Sequence, residues 1–213
     1  MSKLVKQSLV DQIYEELRNS IITQKIAWGE RLNVSELQQQ YELSSTPIRE
    51  ALNRLQKEGL VEYKTNFGAR VIELTEKDII EIQEVAMALD VAAIKYAIQT
   101  GNRQAMLLEL DKIIKAYQAA TDESTRSRLT EEFADVFYKN AGNERLIVLS
   151  QAIRGQKSML KSTYINLKKN PSGMEDHIRM YEAVKNGEVD KAQAAMVDNY
   201  EKATALLLQR FHQ

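Results

Sequence analysis

Val10, Ile13, Tyr14, Leu17 and Ile21 recur at i, i+3, i+4, i+7 and i+11, the spacing that lays one apolar stripe along a helix, and predict an opening helix from Ser8 to about Gln24. Ala27-Trp28-Gly29-Glu30 breaks it. Arg31-Leu32 then reads as a short strand, and Asn33 with Glu36 as a capping box before a helix carrying Val34, Leu37 and Tyr41 inward. Glu42-Leu43-Ser44-Ser45 is a polar turn. Thr46 reads as the N-cap and Pro47 as the first position of the next helix, with Ile48, Leu52 and Leu55 inward and Thr46, Arg49 and Asn53 outward. Gly59 suits the C′ position. Beyond it Leu60 to Lys64 and Ala69 to Ile72 alternate like two strands around Thr65-Asn66-Phe67-Gly68, a β-hairpin. Helix, strand, helix, turn, helix, hairpin is the order of a winged helix-turn-helix.

From Thr75 the pattern is helical throughout. Glu76 to Gln99 carries Ile79, Ile82, Val85, Leu89, Ala92, Ala93 and Tyr96 and stops at Gly101. Arg103 to Ala120 carries Leu107, Leu110, Ile114 and Tyr117; Glu123 to Ala141 carries Leu129, Phe133, Val136 and Phe137 and stops at Gly142. Asn143 to about Lys168 reads as one long helix with Leu146, Leu149, Ile153, Leu160 and Tyr164 inward and Pro171 after its end. Ser172 to Asn186 stops at Gly187, and Asp190 caps a last helix with Ala194, Met196, Tyr200, Leu206 and Leu207. Six helices with short connections predict an antiparallel bundle. The fold class is therefore mainly α: a winged helix-turn-helix over 1–74 followed by an all-α helical domain over 75–213.

Composition changes this picture little. At 213 residues and 44% apolar the chain can bury a core, and length allows two domains. With no cysteine, disulfides and thiolate metal sites are excluded, and no apolar run reaches membrane-spanning length or resembles a signal peptide, so a cytoplasmic protein without membrane association is expected. Net charge is −1, and residues 1–72 carry ten Lys/Arg against nine Asp/Glu, so nucleic-acid binding must rest on where charges sit.

One such place is Arg49. A guanidinium near the N-terminus of a groove-lying helix can pair with O6 and N7 of guanine; the alternative is a solvated helix charge. In the hairpin, Lys64, Asn66 and Arg70 around Gly68 suit phosphate contact, against a hairpin that only closes the core.

Ser-x-Thr-Pro-Ile-Arg-Glu-Ala-Leu at 44–52, Leu-x-x-Glu-Gly-Leu-Val at 55–61 and Gly68 resemble the DNA-binding signature of the GntR-type bacterial transcription regulators. Ala141-Gly142-Asn143, Asp176-His177, and Gly187-Glu188 through Ala195-Met196 resemble landmarks of the helical effector domain in their FadR-like branch, and the six-helix count is similar to the VanR-like subgroup. The resemblance implies a homodimer that binds double-stranded, pseudopalindromic operator DNA and responds to a small-molecule effector. It assigns DNA reading to Arg49, phosphate contacts to Ser44 and Thr46, and the wing tip to Gly68 with Asn66 beside it. Many members carry arginines where this chain has Ser35 and Ser45, which implies a different operator or weaker binding.

Many relatives hold a divalent metal through an Asp and a His four residues apart and two later histidines. The corresponding positions are Thr130, Ala134, His177 and Asn199, and one imidazole with a hydroxyl and an amide is a poor Zn²⁺ or Ni²⁺ site, so no metal or other cofactor is expected. The residue that is often arginine on the first effector helix is Ala86. Thr130, Ala134, Arg154, His177 and Asn199 are the candidate effector pocket, with a hydrogen-bonded structural histidine as the alternative for His177. A purely dimerising helical domain without ligand is the competing reading. An enzyme is not expected: HExxH, a phosphate loop and a nucleophile elbow are all missing, and the only histidines are His177 and His212.

Overall fold

In the computed structural model residues 8–167 and 174–211 are described, so Pro171, Ser172 and His212 lie outside the described residues. The element order is α1 (Leu9–Ile22), β1 (Arg31–Leu32), α2 (Val34–Tyr41), α3 (Ser45–Lys57), β2 (Val61–Lys64), β3 (Gly68–Val71), α4 (Glu76–Thr100), α5 (Arg103–Ala119), α6 (Glu123–Asn140), α7 (Glu144–Ala152), α8 (Arg154–Leu167), α9 (Glu175–Asn186) and α10 (Val189–Leu208), closed by a 3₁₀ turn at Gln209–Phe211. The chain divides into two compact units. One takes residues up to Lys77 together with Gln151–Thr163; the other takes Asp78–Ser150 and the chain from Tyr164 on.

In the first unit, Ser8 caps α1 through a reciprocal box with Asp11. Ile13, Leu17 and Ile21 of α1, Leu37 of α2 and Ile48, Leu52 and Leu55 of α3 bury their side chains in one core with Leu32, Leu60, Val61, Ala69 and Val71. The three strands form an antiparallel sheet in the order β1-β3-β2, with Leu32 opposite Ala69 and Lys64 opposite Gly68. Asn33 accepts from the Ser35 N–H, but Glu36 takes the Asn33 side-chain amide, so the box is only half formed.

Met159 of α8 is fully buried in this same core. Gly155 makes that possible: a Cβ there would lie 2.8 Å from the Glu58 carbonyl oxygen and from Cγ of both Glu58 and Leu60. Gln24 donates from Nε2 to Thr163 Oγ1 at 2.7 Å. Residues 151–163 thus group with the winged helix, although their place in sequence puts them among the later helices.

The second unit holds a bundle. Between Thr75 and the C-terminus the described residues form seven α-helices, not six, because the expected helix from Asn143 breaks at Ile153, two residues before Gly155, the weakest helix former in the stretch. Leu149, expected inside, is 54% exposed. On α10, Glu188 and not Asp190 is the N-cap, and Ala194 faces solvent while Ala192, Ala195, Met196, Tyr200 and Leu207 are buried. The face of α4 also differs. Ile79, Gln83, Ala86, Asp90, Ala93, Ile94 and Ala97 are buried, whereas Val85 and Tyr96, expected inside, are exposed.

The polar residue Asp90 is accommodated by two phenols. Tyr138 on α6 and Tyr200 on α10 donate to its two carboxylate oxygens, each at 2.6 Å. Burial, and then the Asp90 charge, push both hydroxyls far above the ordinary tyrosine range, so they remain donors at any physiological pH.

Candidate nucleic-acid interface

The helix carrying Arg49 begins earlier than its proline suggests. Ser44 is the N-cap, in extended conformation, and Pro47 is the third helical residue. This costs no hydrogen bond, because the first four N–H groups of a helix have no intrahelical acceptor. Thr46 is therefore the second helical residue and not the cap.

Ile48, Ala51, Leu52 and Leu55 are fully buried, which fixes the opposite face outward: Ser44, Thr46, Arg49 and Asn53 are exposed, and Ser45 is half-buried. Asn53 receives a 3.3 Å hydrogen bond from Tyr63 Oη on β2. Ser35, in the first turn of α2, is exposed.

The basic residues around this face have distinct surroundings. Arg54 is turned back onto α1, its guanidinium 4.2 Å above the Tyr14 ring and 2.6 Å from Asp11, whose carboxyl it holds at about 2 together with the Ser8 hydrogen bonds. Arg18 bonds Glu58 at 2.8 Å, and Tyr14 donates to the same carboxylate, which ties α1 to the end of α3. Burial and then Glu58 push the Tyr14 hydroxyl up to about 12. Arg70 reaches across the hairpin to Glu62 at 2.6 Å, directly opposite it in the register. Lys64, the other wing cation, is less tightly held than Arg70: its ammonium is 3.9 Å from Glu62 and its side chain is about half exposed.

At the wing tip the Phe67 N–H donates to the Lys64 carbonyl, Asn66 takes a left-handed conformation with φ 68°, and Gly68 has φ 78° with open space where a Cβ would stand. Phe67 itself is 65% exposed, a residue the alternation pattern gave no reason to single out.

In the second unit, Thr130 and Ala134 are half-buried on α6, His177 on α9 and Asn199 on α10. The His177 ring meets Phe133, the neighbour of Ala134, edge-on at 5.0 Å. Arg154 opens α8, is exposed, and belongs to the first unit. A metal does not fit: the Thr130 hydroxyl donates to the Ser127 carbonyl, Ala134 has no donor atom, and no group of three or more His, Cys, Asp or Glu among the described residues could hold an ion.

Sequence reasoning missed Arg126, one turn before Thr130 on the same face of α6. Its guanidinium bonds the Ala120 carbonyl at 2.9 Å and lies 5.7 Å above the Tyr117 ring, while its buried Nε has no hydrogen-bond partner among the described residues. The i, i+4, i+8 spacing of 126, 130 and 134 was the available signal. Nearby, Asp176 is held by Lys202 at 2.8 Å and by Arg179 at 3.0 Å; burial pushes its carboxyl up, and the two cations more than offset this, so it lies below the ordinary range. An open cleft of about 610 Å³ lies elsewhere on this unit, lined by Tyr96, Thr100 and residues 141–145.

Comparison with known proteins agrees with this geometry. Residues 9–71 match the model of the bacterial regulatory proteins of the gntR family, and residues 81–202 match the FCD domain. The Bacillus subtilis HTH-type transcriptional regulator YdhC is 24% identical over 193 residues, covering 89% of this chain and 86% of its own. The gluconate operon transcriptional repressor of the same organism is 27% identical over 218 residues, covering 99% and 83%. The solved fold of E. coli McbR/YncC superposes with a TM-score of 0.78 at 20% identity, covering 97% of this chain and all of that one. With a winged helix holding Arg49 outward and an FCD match over the helices that follow, the chain belongs to the GntR family of bacterial transcriptional regulators.

Proposed function

We propose that the protein acts in the cytoplasm as a homodimer on a pseudopalindromic operator, with a small metabolite held in the helical unit modulating its DNA affinity. The observation that carries the DNA half is α3: one face is locked into the core and the other offers Ser44, Thr46, Arg49 and Asn53 side by side. Arg49 reads a base, Ser44 and Thr46 contact phosphate, and Asn66 and Gly68 carry the wing over the backbone, with Ser35 and Ser45 at the margin. For the ligand, Thr130, Ala134, His177 and Asn199 of the helical unit are the pocket candidates, and Arg126, 3.9 Å from Glu123, adds a cation for a carboxylate. The name of the gluconate repressor makes sugar acids the first class to try.

The test is DNA selected from a random library, followed by titration. Arg49→Ala should weaken binding by about ten- to a hundredfold, the worth of one bidentate base contact; unchanged affinity would remove Arg49 from the interface. Sugar acids, short carboxylates and amino acids are then titrated with and without operator. Because coupling is reciprocal, a true effector that lowers operator affinity binds less tightly in operator's presence. Ligand binding that operator leaves unchanged would refute the modulation.

A further inference from the structure

Three of the apolar residues that a helical pattern assigns to the inside of α4, Val85, Ala92 and Tyr96, share a stripe with Ala88 on its outer side. Val85, Ala88, Ala92 and Tyr96 fall at i, i+3, i+7 and i+11, on the side of the helix turned away from the buried Ile79, Ala86, Asp90 and Ala97. Val85 is 50% and Tyr96 40% exposed, Ala88 is exposed and Ala92 half-buried. Exposed apolar residues scattered singly carry no meaning, but a helix places charges on a face meant for water. Around this stripe Glu81 and Glu84 are exposed before Ala88 and Lys95 after it, with the exposed Lys77 one turn ahead of Glu81.

We infer that this face is the seam of the homodimer, with α4 packed antiparallel on α4 of a second copy about a two-fold axis at Ala88. The inference rests on the homodimer reading above and names its surface. Charge decides the direction. Glu81 and Lys95 each lie seven residues, two helical turns, from Ala88 on opposite sides, so an antiparallel pair sets Glu81 of each copy against Lys95 of the other. A parallel pair would set glutamate on glutamate and lysine on lysine. The same symmetry sets Ala88 of one copy against Ala88 of the other at the axis. Such a contact is isologous, as two-fold dimers require. The small side chains of Ala88 and Ala92 at its centre permit an interaxial distance near the short end of the usual range, about 8 Å. The apolar surface continues past Tyr96: α7 carries Val148 and Leu149, 59% and 54% exposed, on the face of Arg145, which shares the open cleft with Tyr96.

The absence of cysteine makes the test direct. Ala88→Cys in the full-length protein should form an interchain disulfide on mild oxidation, whereas Leu108→Cys, on the 69% exposed position of α5, should not. By light scattering at micromolar concentration, Val85→Asp and Glu81→Lys should each weaken the dimer by about tenfold or more, and adding Lys95→Glu to Glu81→Lys should restore it. Helical content by circular dichroism guards against misfolding, and the Ala88→Cys cross-link reads proximity independently. A dimer that Val85→Asp leaves intact and that does not cross-link at 88 would overturn the assignment to α4 while the homodimer stands. A wild-type monomer would overturn both.

Discussion

Gly155→Ala sets two effects of known size against each other. Alanine in a helix is favoured over glycine by about 1 kcal/mol, so if α8 were surrounded by solvent the change would stabilise. The added Cβ would instead stand 2.8 Å from three atoms, one of them the backbone oxygen of Glu58. None of the three can yield easily: Leu60 is fully buried, and Glu58 is held by Arg18 and Tyr14. Overpacking of this kind costs about 1 to 3 kcal/mol, and with a backbone atom involved the upper end applies, leaving a net loss of about 2 kcal/mol. Trp28, the single tryptophan, packs against the winged-helix core and reports its unfolding in urea. With a slope of about 2 kcal/mol/M, the midpoint should fall by about 1 M. Met159→Ala should cost about 2 to 5 kcal/mol for the opposite reason, a cavity, and so lower the same midpoint by about 1 to 2.5 M. A midpoint that rises in Gly155→Ala and stays put in Met159→Ala would show that residues 151–163 do not pack in the winged-helix unit.

Tyr200→Phe should cost about 1.5 to 3 kcal/mol, the worth of a hydrogen bond to a charged group, and lower the thermal midpoint followed by circular dichroism; an unchanged midpoint would mean that Asp90 does not depend on it. Asp11 has a folded value of about 2 against an ordinary 3.8, so its contribution is present above pH 4 and is lost as pH falls towards 2. Asp11→Asn or Arg54→Ala should therefore make the Trp28 midpoint less acid-sensitive across that window, and a slope identical to wild type would refute the pairing. Arg49→Ala, on an exposed position, should leave both midpoints unchanged while DNA affinity drops, in contrast to Arg54→Ala.

The helix proposed to face DNA was legible because its signals are local. The run from Ser44 to Leu55 sets its own turn, its own buried stripe and its own outward face, and only the start of the helix was misplaced. Pro47 marks the first turn and not a position within it, since any residue there has an unbonded N–H. The wing cations were less legible: Arg70 and Glu62 look alike as surface charges until the strand register puts one opposite the other. Gly155 reads in sequence only as a poor helix residue, because the atoms that require it belong to Glu58 and Leu60, nearly a hundred positions away.

The misreading of α4 has a deeper cause. A periodic pattern sorts residues into apolar and polar faces and assumes that apolar means core, but an apolar face held for a second copy of the chain obeys the same periodicity. What settled the orientation was Asp90: burying a carboxylate is costly unless it is fully hydrogen-bonded, and its donors Tyr138 and Tyr200 lie 48 and 110 residues away. No window along the chain contains both. With Asp90 inside, Ala86, Ala93 and Ala97 must line its face, and their small side chains let α4 sit close against its neighbours in the bundle. The larger Val85 and Tyr96 are then left outside, with Glu81 and Lys95 as symmetric bookends. The two halves of the misreading therefore have one origin: the residue that looked most suited to water is the one the bundle is built around, and the residues that looked most suited to the core are the ones available to a partner.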